Sequence, residues 1–102
     1  MTRITITMEV WDNDLTTAEK ADILTYCEHA ALKTRNLFKS GAAPIRATER
    51  TKNAITMELD WSDWYYFTPD TFLRAYNRRL MRLHYWNRAD EPLVMYWNLE
   101  QV

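Results

Sequence analysis

Three observations predict an α+β fold of order β-α-β-β-α-β, the ferredoxin-like arrangement of an antiparallel sheet with two helices packed on one face. The first is a repeat, in which Ile6-Thr7-Met8-Glu9-Val10 returns as Ile55-Thr56-Met57-Glu58-Leu59. The second is that each copy alternates apolar and polar residues, the period of a half-buried strand. The third is that an acidic turn and a helix-capping Thr follow each copy. Two similar halves, each a strand and then a helix, are what this fold is built from.

Taken in order, Ile4, Ile6, Met8 and Val10 alternate with Thr5, Thr7 and Glu9 in a first strand that Asp12-Asn13-Asp14 ends. Thr16 and Glu19 have the spacing of a capping box. Beyond them Ile23, Leu24, Cys27, Ala30, Ala31, Thr34, Leu37 and Phe38 share one side of a helix of about six turns. Gly41, the only glycine, stands where a left-handed C-terminal cap belongs. Ile45–Arg50 alternates weakly and is charged, as an edge strand should be. After a turn near Thr51–Asn53, Ala54–Trp61 forms the second strong strand.

Thr68-Pro69-Asp70 starts the second helix, with Thr as cap, Pro in the first turn and an acid beside it. That helix runs to about Asn87 and turns Phe72, Leu73, Tyr76, Leu80 and Leu83 inward. Glu91-Pro92 breaks it, and Leu93, Met95, Trp97 and Leu99 alternate with Val94, Tyr96 and Asn98 in a last strand. The two matching strands should be central neighbours. Their Ile, Met, Val and Leu positions then build the core, and Thr5, Thr7, Glu9, Thr56, Glu58 and Asp60 form the open face.

Residues 1–102 are expected to make one domain, since a chain of this length supports a single core. Its 47% hydrophobic and 26% charged residues are ordinary for a globular protein. A net charge of −1 gives no overall pull toward nucleic acid or membrane. Five Trp, six Tyr and three Phe are more rings than so small a core can hide, so several should reach the surface. The lone Cys27 makes no internal disulfide and suits a reducing compartment. No stretch has the apolar length of a leader or a membrane span, and a cytoplasmic location is expected.

No catalytic signature stands out, and the expectation is a non-enzymatic protein. With one glycine there is no Gly-rich phosphate loop, so no nucleotide cofactor is expected. His29, His84 and Cys27 lack zinc spacing, and Cys27 falls on the core stripe of its helix.

The informative features are local. Arg74, Arg78, Arg79, Arg82 and Arg88 fall in a segment free of acids. On the second helix Arg74, Arg78 and Arg82 lie opposite the buried stripe, with Met81 and Tyr85 between them. Arg, Tyr and an adaptable Met are the composition of an interface hot spot. Just before that helix, Trp61, Trp64, Tyr65, Tyr66 and Phe67 crowd into seven residues, and Trp64 and Tyr65 are the rings expected outside. The candidate partner-binding set is therefore Arg74, Arg78, Met81, Arg82, Tyr85, Arg88, Trp64, Tyr65 and Tyr66. Glu9 and Glu58, at equivalent repeat positions, with Asp12, Asp14, Asp60 and Asp63 at the strand ends, suggest an alternative: a metal-dependent phosphodiesterase.

The leading expectation is a small protein-binding module that uses the Arg helix and the aromatic segment to engage an acidic or nucleic-acid-handling partner. In type, and in no motif, the chain resembles phage-encoded inhibitors of bacterial defence, anti-CRISPR proteins among them. Direct nucleic-acid binding through the Arg stripe is the other expectation, steeply salt-dependent if it occurs. A homodimer could form through the open sheet face with its Thr rows and Tyr96.

Overall fold

A computed structural model describes residues 1–82 and 93–102, and its element order is the expected one. The elements are β1 (Thr2–Val10), α1 (Thr17–Asn36), β2 (Arg46–Arg50), β3 (Ala54–Trp61), α2 (Pro69–Leu80) and β4 (Leu93–Gln101). They form an antiparallel sheet in the order β2-β3-β1-β4, so the two repeated strands are the central pair. Ile4, Ile6, Met8, Ile55, Met57 and Leu59 are fully buried on the helix side of that pair. Alternation with polar residues, the feature that identified the strands, thus also fixes which face the helices cover.

The repeat has a geometric consequence. β1 and β3 are antiparallel, so equivalent positions run in opposite directions and coincide only at Thr7↔Thr56. There the two hydroxyls hydrogen-bond at 3.0 Å. On either side the partners exchange, with Ile6 opposite Met57 and Met8 opposite Ile55. Thr7 and Thr56 mark a local twofold relation between the halves.

α1 begins with a complete capping box: the Glu19 amide donates to Thr16 Oγ1 at 3.1 Å and the Thr16 amide to Glu19 Oε1 at 3.0 Å. Its inward face buries Ile23, Leu24, Cys27, Ala30, Ala31 and Thr34 as expected, whereas Leu37, past the helix end, is exposed. Two tyrosine hydroxyls join the helices. Tyr76 donates to the Cys27 carbonyl at 2.8 Å, and Tyr26 donates to the Arg79 carbonyl at 3.3 Å.

α2 is shorter than its pattern suggested. It closes at Leu80 with Met81 as C-cap, rather than near Asn87. Residues 83–87 lie outside the described residues. Thr68 is the N-cap with Pro69 behind it, yet its side chain makes no capping hydrogen bond.

Gly41 also departs from expectation. Its backbone is not left-handed, and α1 is closed instead by Leu37 in a right-handed conformation. The glycine is needed for close approach, because an added Cβ would fall within the Tyr65 ring. β2 is a wholly exposed edge strand, its register shifting between Ala47 and Glu49. At the opposite edge, Trp97 and Leu99 pair with the buried Ile6 and Ile4 yet stay 53% and 43% exposed. The helices centre on β1 and β3 and leave this end of β4 uncovered.

Candidate partner-binding site

The aromatic segment 61–67 divides into an anchor and a display. Trp61 is 1% exposed, and its indole N–H donates to the Phe67 carbonyl at 2.9 Å, closing the loop on itself. Around it Phe38, Tyr65, Phe67 and Phe72 pack edge-on or tilted with centroids 5.6–6.1 Å apart. Arg35 steadies the facing turn by donating twice to the Ala42 carbonyl, at 3.0 and 2.7 Å. Asp63 is held by the Met1 ammonium at 2.8 Å and by the Thr2 hydroxyl and the Gln101 amide. Those partners lower its pKa to about 2.

From this anchored loop Trp64 projects 96% exposed and Tyr66 89% exposed. Tyr65, expected outside, packs instead against Trp61 and Phe67 in the space Gly41 leaves. The sequence identified the aromatic cluster but not its exposed members, because a loop has no period from which facing can be read.

α2 carries the second part. Arg74, Arg78, Met81 and Arg82 are exposed and point away from Phe72, Leu73, Tyr76 and Leu80. Arg74 is tied to Asp70 one turn earlier at 2.9 Å. Arg78 and Arg82 join no ion pair among the described residues. Arg82 also turns toward α1, where with Arg79 it lines a cleft beside Tyr26, His29, Ala30 and Lys33. The sequence-based set omitted Arg79 and the two α1 residues His29 and Lys33, since only tertiary packing brings the helices side by side. Tyr85 and Arg88 lie outside the described residues.

The aromatic loop and the basic end of α2 are not in contact along the chain. The twelve residues of α2 rise about 18 Å from the end of the loop to the Met81 cap. One partner face of standard size, about 800 Å² and so roughly 28 Å across, would span both.

The paired-carboxylate reading is corrected. Glu58 lies opposite Thr5 and Glu9 opposite Ala54, four strand positions away or about 13 Å. Antiparallel pairing sends Asp12 and Asp14 to one end of the sheet and Asp60 and Asp63 to the other. Among the described residues no group of three His, Cys, Asp or Glu could hold a metal ion. Two of the acids have cross-strand partners instead, Glu58 with Arg46 at 2.7 Å and Asp60 with Arg3 at 2.9 Å, while Glu9 accepts from the Trp11 indole at 2.8 Å. Hydrogen bonding from Arg3, against some burial, lowers the Asp60 pKa. Cys27 is buried, and burial pushes its thiol pKa up to about 12, which suits a core residue rather than a nucleophile. No helix among the described residues is long and apolar enough to cross a membrane.

The fold defines the class: an α+β protein of ferredoxin-like topology. Among solved structures the chain is similar to SnoaB, a cofactor-independent oxygenase from Streptomyces nogalater, crystallised in a mutant form. The TM-score is 0.51 at 11% sequence identity, with 99% of this chain and 92% of that chain covered. Such a likeness shows the fold alone. Neither a protein-family model nor a curated protein sequence matches the chain. SnoaB nevertheless corrects one expectation, that of a non-enzymatic protein. An enzyme is built on this architecture, so the lack of a recognisable motif does not set the chain apart from enzymes.

Proposed function

We propose that the protein works by binding a macromolecular partner, using the anchored aromatic loop with Trp64 and Tyr66 and the outer face of α2 with Arg78, Met81 and Arg82. One observation carries this reading: Trp64 is 96% exposed on a loop anchored in the core by Trp61 and Tyr65. A large ring kept in water on an immobilised backbone loses little conformational entropy when a partner covers it. Arg and Met on α2 extend the same chemistry, and guanidinium groups that join no ion pair among the described residues favour an acidic surface. The partner in this reading is a protein with an acidic face. The likeness of type to phage inhibitors of defence suggests one that handles nucleic acid. The lone buried thiol of Cys27 is in keeping with work in the reducing cytoplasm.

Affinity capture with the full chain tests the proposal. Trp64→Ala should weaken partner capture at least about thirtyfold, the scale of a lost hot-spot ring, while the melting temperature stays unchanged. Arg78→Ala should weaken it less and make it less sensitive to salt. Equal capture by wild type and both variants would overturn the reading. A complex with bare nucleic acid in a low-salt gel shift would replace the protein partner with a nucleic-acid one. Sedimentation as a dimer that Trp64→Ala dissolves would make the partner a second copy of the chain.

A further inference from the structure

Between α1 and the C-terminal end of α2 lies a cleft of about 190 Å³, lined among the described residues by Tyr26, His29, Ala30, Lys33, Arg79 and Arg82. Among the described residues it brings together three cationic side chains and an imidazole, with no carboxylate in the lining. Four arginines elsewhere are matched by acids, Arg3 with Asp60, Arg46 with Glu58, Arg50 with Glu28 and Arg74 with Asp70. Lys33, Arg79 and Arg82 join no ion pair among the described residues. The C-terminal end of each helix favours basic residues through its dipole. The dipole does not require that cations from both helices face one cleft, where they repel one another. The Tyr26 hydroxyl donates to the Arg79 carbonyl at 3.3 Å, occupying an acceptor that would otherwise repel an anion.

We infer that this cleft binds a compact, multiply charged oxyanion, the phosphate or diphosphate group of a small molecule, through Lys33, Arg79 and Arg82. Its size limits the occupant. Sites for whole organic ligands measure about 300–1,000 Å³, and a water molecule takes about 30 Å³. The cleft therefore holds an anionic head group and leaves the rest of a larger ligand outside. Guanidinium and ammonium donors supply charge-assisted hydrogen bonds to each face of a tetrahedral oxyanion. Arg82 is shared with the partner-binding face of α2, but Lys33 and Arg79 are not, so the inference does not rest on that reading.

The test is calorimetry and thermal denaturation of the full chain with sodium pyrophosphate, against sodium chloride at equal ionic strength. Pyrophosphate should bind and raise the melting temperature, since a ligand of the folded state stabilises it by mass action. Lys33→Gln and Arg79→Gln should each weaken binding about tenfold, the loss expected for one charge-assisted contact. Lys33 is exposed, so its replacement keeps the test valid even if Arg79→Gln fails to fold. ADP and adenosine distinguish the sources of the anion. ADP matching pyrophosphate, with adenosine inert, assigns a head group on a larger molecule; pyrophosphate alone assigns the free anion. Trp64→Ala should bind pyrophosphate as the wild type does, so the two proposals fail separately. No effect of pyrophosphate beyond that of chloride, or unchanged affinity in Lys33→Gln, overturns the inference.

Discussion

At Gly41 the backbone lies so close to the face of Tyr65 that any side chain would enter the ring. The aromatic plug under the sheet end depends on that approach, because Tyr65 in turn packs on Trp61 and Phe67. Gly41→Ala should therefore cost about 1–3 kcal/mol in urea denaturation, the usual penalty for overpacking. In a Tyr65→Ala background the same replacement should cost much less, and a double-mutant cycle measures the difference. Equal costs in the two backgrounds would show that the ring is not the reason for the glycine. Cys27 makes a complementary point: burial raises its thiol pKa, and the apolar stripe of α1 already marked that burial in the sequence.

Among the elements, the two helix starts look alike in sequence and differ in structure. Thr16 and Glu19 exchange both hydrogen bonds of a capping box, whereas Thr68 makes no side-chain cap bond. Thr16→Ala should accordingly lower stability by about 1 kcal/mol. Thr68→Ala should stay within about 0.5 kcal/mol, as surface replacements usually do. Thermal denaturation of both variants decides, and a larger loss at Thr68 would contradict the observed geometry. The strands and α1 were legible because their apolar positions recur at a fixed period over many residues. The end of α2 was not legible, because apolar residues continue past Leu80 while the backbone closes at Met81. Periodicity reports the facing of side chains and says little about where a helix stops.

Over the whole molecule, the local twofold relation organises both core and charge. Ile and Met exchange partners around Thr7 and Thr56, and the acids of the two halves are sent to opposite ends. Arg3–Asp60 then links the central strands on the open face. The Asp60 pKa is lowered in the fold, so this link contributes stability above the unfolded carboxylate pKa of about 3.9 and loses it as pH falls through the lower folded value. Arg3→Gln should therefore be less stable than wild type at pH 7, with the gap closing below about pH 4. A gap that persists at pH 2 would show that packing of the Arg3 stem, not charge, is responsible.

The sequence by itself determined the element order, the central pairing of the repeated strands and the core residues of the two central strands. Those follow from periods of two and 3.6 residues and from the burial of apolar surface. It also marked the Arg-rich helix and the aromatic segment as the places where the two halves differ. Tertiary structure alone decided that Glu9 and Glu58 stand apart, that Tyr65 is inside while Tyr66 is outside, and that Lys33 meets Arg79 across a cleft. The physical reason is the same each time. Strand direction, loop facing and helix–helix contact are relations between distant segments, and a local pattern carries no record of them.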